Sequence, residues 1–214
     1  MVARIVPDTP AGRAEAIDVL AAGGLVGLPT DTVYGIAVAG ATAGGIERLF
    51  AAKSRPPDRA IVLLLADAAQ AAELAIIGPA AEALASAFWP GGLTLVLERR
   101  GGGDDAPEDA SPTIGVRVPD HPAPRALAAA LGPLPTTSAN RSGEPEASDA
   151  TEVRTILGDA LDLILDGGPA PGGRPSTVVD ASGAVVRILR EGAIDADAIH
   201  RALETAGLPD AVGR

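Results

Sequence analysis

Apolar and polar positions along this chain follow two periods, and the pattern switches between them from one end to the other. Thr9-Pro10 reads as an N-cap followed by proline at the first helical position, and Gly23-Gly24 stops that helix after Ala22. Residues 25–28 form a short apolar run that breaks at Pro29, and a second short strand is expected at 36–38. Between Gly45 and Lys53, the residues Ile46, Leu49 and Phe50 fall at helical spacing, so this helix delivers Lys53 into the loop that follows. The continuous run Ile61-Val62-Leu63-Leu64-Leu65 has strand length and suits a strand covered on both faces. Asp67 is placed to cap one helix, and Pro79 opens another that ends near Trp89-Pro90-Gly91-Gly92. Further strands are expected at 93–98, 114–118, 161–165, 177–180 and 185–189, with helices at 123–131, 151–157 and 197–206. This alternation predicts an α/β fold around a mixed sheet.

Composition narrows the chemistry. The 214 residues are enough for a substantial core, and with no long low-complexity linker they are expected to form one domain over 1–214. Hydrophobic residues make up 47% but aromatics only 2%, so the core must be built from Ala, Val, Leu and Ile. That scarcity argues against base-stacking platforms for single-stranded RNA. A formal charge of −11 argues against affinity for nucleic acid through counterion release. Without cysteine there is no disulfide or thiolate chemistry, and with only His121 and His200 as imidazoles a zinc site is not expected. The N-terminal residues lack an apolar signal core and no run is long enough to span a bilayer, which predicts a cytoplasmic protein.

Against this acidic background one segment stands out. Lys53 is the single lysine beside sixteen arginines, and it lies in Lys53-Ser54-Arg55-Pro56-Pro57-Asp58-Arg59. Ammonium is a compact point charge and guanidinium a planar fork, so a chain that otherwise uses arginine has a reason to keep a lysine where a fork does not fit. Phosphate-loop, dinucleotide-fingerprint and nucleophile-elbow motifs are all missing. Instead, four polar segments sit at the ends of the expected strands: 29–35, the basic loop, 113–119 and 136–143. Hydroxyls, an amide and cations dominate them. Singly, such residues most often cap turns; together they suit anions and a zwitterion, with little that titrates near neutrality. The acidic glycine-rich stretch 101–109 and the segment 167–175 read as loops.

Six segments carry a family resemblance: Pro29-Thr30-Asp31-Thr32-Val33-Tyr34-Gly35, Lys53-x-Arg55-Pro56, Trp89-Pro90-Gly91-Gly92-Leu93-Thr94, Gly115-Val116-Arg117-x-Pro119, Ser138-Ala139-Asn140-x-Ser142-Gly143 and Pro175-Ser176-Thr177-Val178-Val179-Asp180. In order and spacing, from about residue 10 to Gly192, the chain resembles the YrdC-type threonylcarbamoyl-AMP synthases in their single-domain bacterial form, without the C-terminal domain that larger relatives append. The resemblance implies an open twisted mixed sheet with flanking helices and a large concave cavity. It implies that L-threonine, bicarbonate and ATP, with Mg2+ on the triphosphate, give threonylcarbamoyl-adenylate and pyrophosphate. Other proteins of the pathway then transfer the threonylcarbamoyl group to adenosine 37 of tRNA.

Carried over by position, the resemblance places Thr32, Arg117 and Ser176, with Thr30 nearby, around L-threonine. It places Lys53, Arg55, Arg59, Thr113, Ser138, Asn140, Ser148 and Arg190 on the ATP side, Lys53 and Arg55 in catalytic roles, and no protein side chain on a metal. Two departures are visible: Leu64 stands where some members have a threonine-touching histidine, and Ala60 replaces a proline often found after the basic loop. Both reactants are anions, so positioning and charge neutralisation are expected to matter more than a strong protein base. Three other readings were compared. Hydrogenase-maturation carbamoyltransferases embed a similar domain among zinc fingers whose cysteines are missing here. A YrdC paralogue group departs from the Lys-x-Arg and Ser-x-Asn pattern. An RNA-binding module would bind tRNA or duplex RNA weakly, with steep salt dependence and no ATP turnover.

Overall fold

In the computed structural model, residues 2–53, 61–101 and 111–208 are described. The chain order is β1 (Arg4–Pro7), α1 (Pro10–Ala21), β2 (Val26–Leu28), β3 (Gly35–Ala37), α2 (Gly45–Ala52), β4 (Val62–Leu64), α3 (Ala68–Leu74), β5 (Ala75–Ile76) and α4 (Pro79–Phe88). It continues with β6 (Leu93–Arg99), β7 (Thr113–Arg117), α5 (Pro122–Leu131), β8 (Leu134–Ser138), α6 (Ala150–Leu157), β9 (Leu163–Asp166), β10 (Thr177–Asp180), β11 (Arg187–Arg190) and α7 (Ala196–Thr205). Among the described residues these strands form one mixed sheet in the order β1-β9-β2-β3-β8-β4-β7-β6-β10-β11, with β5 paired to β6.

Helix starts follow the residue types at their ends. Thr9, Asp67, Asp149 and Asp195 each accept a hydrogen bond from the backbone N–H three residues on, which satisfies a donor that the first helical turn leaves over. His121 does the same for α5 by accepting from the N–H of Ala123 through Nδ1 at 3.2 Å. Most expected boundaries move by one or two residues; three strands, β1, β5 and β8, do not stand out in the apolar pattern at all. The last is the consequential one. Leu134-Pro135-Thr136-Thr137-Ser138 looks like a turn, yet it lies in the middle of the sheet, antiparallel to both β3 and β4.

The sheet is covered unequally. Around β2, β3 and β9, alternate residues enter two different cores: Val26, Leu28, Ala37, Leu163 and Leu165 pack with α1 and α5, while Leu25, Ile36, Val38 and Ile164 pack with α2 and α6. On β6 and β10 only one set is covered. Leu93, Leu95, Leu97 and Val179 join the core formed with α4 and α7, while Thr94, Val96, Ser176 and Val178 line an open cavity. Strand alternation thus converts a sheet that lacks helices over one part of one face into a binding surface.

Candidate active site

The cavity has a volume of about 1020 Å³ and takes its walls from β3, β4, β6, β7, β8, β10 and β11 together with the loops at their ends. Of the residues expected at the site, Thr30, Thr32, Lys53, Thr113, Arg117, Ser138, Asn140, Ser176 and Arg190 all line it. Arg55 and Arg59 lie outside the described residues, as does Ala60. Ser148 is exposed and is not among the lining residues; its N–H and hydroxyl both donate to Glu152 Oε2, at 2.8 Å each, at the start of α6. Leu64 lines the cavity and is buried.

Two polar clusters face the cavity. The first is built on Lys53, at the C-terminal end of α2 and only 2% exposed. Its ammonium donates to the Ser138 carbonyl, to Ser138 Oγ at 3.2 Å and to Asn140 Oδ1 at 2.6 Å. Ser138 Oγ in turn donates to Asn140 Oδ1 at 2.7 Å, and Asn140 Nδ2 donates to the Glu144 carbonyl at 2.6 Å. One helix end and the end of β8 are therefore joined through a buried cation, and a compact ammonium with three rotatable donors suits this cluster of oxygens from two residues.

The second cluster surrounds Arg117, at the end of β7 and 5% exposed. Nε donates to the Gly91 carbonyl at 2.9 Å, Nη1 to Thr32 Oγ1 at 2.9 Å and Nη2 to Asp31 Oδ1 at 2.6 Å. Burial pulls the guanidinium below its ordinary pKa and Asp31 opposes that shift, which keeps the charge in place. Across from it, Ser176 Oγ lies 2.9 Å from Thr94 Oγ1, and Arg190 Nη2 donates to the Ser176 carbonyl at 2.8 Å.

Tyr34 fixes the wall behind Thr32. It is fully buried, its hydroxyl donates to the Gly168 carbonyl at 2.7 Å and accepts from the Gly167 N–H at 3.1 Å, and burial pushes its pKa up to about 12. It is thus a packing residue that ties the 167–175 loop to the 29–35 segment. The same loop passes so close that a Cβ on Gly172 would stand 2.8 Å from the Asp31 carbonyl oxygen and 2.9 Å from Thr32 Cα. Trp89 likewise packs, donating through Nε1 to the Leu93 carbonyl at 2.7 Å. Residue reasoning missed Asp31 and Thr94 as site residues, although both lie in segments that it had marked.

Among the described residues no three His, Asp or Glu side chains converge as a metal site, and no helix is long and apolar enough to cross a membrane. Comparison with known proteins agrees with the geometry. The Sua5_yciO_yrdC family model, described as telomere recombination, matches residues 18–192. A putative threonylcarbamoyl-AMP synthase of Mycobacterium tuberculosis is 36% identical over 193 residues, covering 90% of this chain and 89% of the relative. The threonylcarbamoyl-AMP synthase of Bacillus subtilis is 34% identical over 198 residues, covering 87% of this chain and 55% of its own length. Among solved structures, Pyrococcus abyssi Sua5 complexed with L-threonine superposes with a TM-score of 0.84 at 31% identity, over 94% of this chain and 60% of that one. Escherichia coli YciO gives 0.79 at 28% identity, over 92% and 98%. With the cavity, its two cationic clusters and these likenesses together, the chain belongs to the Sua5/YciO/YrdC family.

Proposed function

We infer that this chain is a threonylcarbamoyl-AMP synthase, which joins L-threonine, bicarbonate and ATP and releases pyrophosphate as the first step of tRNA N6-threonylcarbamoyladenosine formation. The observation that carries this reading is one cavity with two separate buried cations, each already oriented by hydroxyl or amide groups. Arg117, Thr32 and Ser176, with Thr30 behind, suit a small amino acid that carries a carboxylate and a hydroxyl. Lys53, Ser138, Asn140, Thr113 and Arg190, joined by Arg55 and Arg59 of the basic loop, suit the triphosphate.

The threonine amine attacks the carbon of CO2, forming the C–N bond and losing a proton, or that of bicarbonate, in which case a C–O bond breaks and water leaves. A carbamate oxygen then attacks the α-phosphorus, and the bond to pyrophosphate breaks. The chain's part is to hold two anions together and to neutralise their charge. Mg2+ enters with the triphosphate, since the lining offers hydroxyls and cations in place of carboxylates. The threonylcarbamoyl group then passes to other proteins of the tRNA pathway, and contact of this chain with tRNA itself is weak and local at a charge of −11.

Purified protein incubated with ATP, bicarbonate, Mg2+ and L-threonine is expected to form threonylcarbamoyl-AMP, detected by mass spectrometry, and omission of threonine abolishes it. Valine is not expected to substitute, because it leaves a buried hydroxyl partner unpaired at a cost of about 1–3 kcal/mol. Absence of the product, or equal use of valine, contradicts the assignment.

A further inference from the structure

The hydrogen-bond polarity of the amino-acid side of the cavity can be read by following each hydroxyl proton. Thr30 Oγ1 has one, and it goes to the Val33 carbonyl at 2.6 Å. The same oxygen accepts from the N–H groups of Thr32 and Val33, at 3.1 and 3.3 Å. Those two N–H groups take up both lone pairs of Thr30 Oγ1, and Thr32 Oγ1 lies 3.1 Å away from it. Thr32 Oγ1 in turn accepts from Arg117 Nη1 at 2.9 Å.

What keeps Arg117 in that orientation is Asp31. Its Oδ1 takes Nη2 at 2.6 Å, and the pair is nearly enclosed, with side-chain exposures of 6% for Arg117 and 15% for Asp31. Asp31 is not itself among the residues that line the cavity. It stands behind the guanidinium and does not meet the ligand.

We propose that Asp31 is a positioning residue for the amino-acid substrate: it holds Arg117 in the orientation that bonds Thr32 Oγ1 and presents the guanidinium to the substrate carboxylate. This rests on the synthase reading and adds to it the orientation of the amino acid and the residue that enforces it. Asparagine at position 31 keeps an oxygen for Nη2, whereas alanine leaves a buried guanidinium free to turn.

The test is steady-state kinetics of threonylcarbamoyl-AMP formation by the full chain, Asp31→Ala and Asp31→Asn, with threonine and ATP varied separately and thermal melting as a folding control. Asp31→Ala is expected to raise the KM for threonine roughly tenfold or more while leaving the KM for ATP within about twofold, as expected for loss of a charge-assisted hydrogen bond confined to one subsite. Asp31→Asn recovers most of that loss. An unchanged threonine KM in Asp31→Ala, or a parallel rise for both substrates, overturns the proposal. Should the alanine variant fail to melt cooperatively, Asp31→Glu takes its place, since it keeps the charge and displaces the guanidinium; a threonine KM equal to that of the parent then overturns it. A parent chain that forms no product overturns the synthase reading, whereas an active parent with an indifferent Asp31 overturns this inference alone.

Discussion

Lys53 shows how much a single side chain can be asked to do. Its ammonium meets the Ser138 carbonyl, Ser138 Oγ and Asn140 Oδ1 inside a nearly closed site. A guanidinium carries its donors in one plane and is bulkier, so it does not fit the space that the compact ammonium fills among these oxygens. Lys53→Arg is therefore expected to lower pyrophosphate release at least tenfold, and to destabilise the fold by about 1–3 kcal/mol through overpacking. Enzyme assay and thermal melting check the two effects separately. Full activity in this variant means that positive charge alone is needed.

The rarity of lysine is visible in the amino-acid sequence, and so is its place at the end of a helix. Its partners are not, because Ser138 and Asn140 lie 85 and 87 positions away and come close only when β8 pairs with β3. Asp31 presents the same difficulty. It lies in the marked 29–35 segment, but its role comes from a guanidinium 86 positions away.

Elements whose signals are local were legible: proline at the first helical position, aspartate at a cap, and the apolar runs of β4, β6 and β10. By contrast, β8 carries a proline and three hydroxyl residues, and it becomes a strand because two neighbours supply the ladder and its polar side chains face the cavity. β1, at the edge of the described sheet, pairs only with β9, and β5 is two residues long.

One helix start also responds to pH. His121 caps α5 as a neutral imidazole, since Nδ1 accepts from the Ala123 N–H, and burial lowers its pKa, with Asp8, Asp31 and Asp120 opposing that shift and Arg13 adding to it. The unfolded chain binds this proton more readily than the folded one. Stability from this group is thus complete above the ordinary imidazole value of about 6.5 and is lost as pH falls through and below it. We expect the melting temperature to fall by a few degrees between pH 7.5 and 5.5, in line with a cap worth about 1 kcal/mol. His121→Asn, which caps without titrating, is expected to flatten that dependence in the same melting series.

The whole molecule is organised around an incomplete covering. Helices close both faces of the β2, β3 and β9 region, but only one face of β6 and β10, and the remaining surface becomes the cavity. Its walls draw on both regions: Lys53 and Ser138 come from the first, Thr94, Arg117 and Ser176 from the second. Ligands that bridge these walls bind the folded chain and not the unfolded one. ATP or threonine, each at about a hundredfold its Kd, is expected to stabilise it by about 2.7 kcal/mol, raising the melting temperature by several degrees. Differential scanning fluorimetry checks this, and the absence of any shift at saturating concentrations contradicts the assignment of the cavity.

By itself the sequence determined the α/β class, most element positions, the aliphatic core and the segments that bear chemistry. Each depends on neighbours within a few residues or on composition, so a linear reading suffices. Only the tertiary structure decided that β8 is a central strand, that Lys53 bonds to the Ser138 and Asn140 pair, and that Asp31 stands behind Arg117. These relations join positions seventy or more residues apart, and strand register, which no local pattern encodes, brings them within hydrogen-bonding distance.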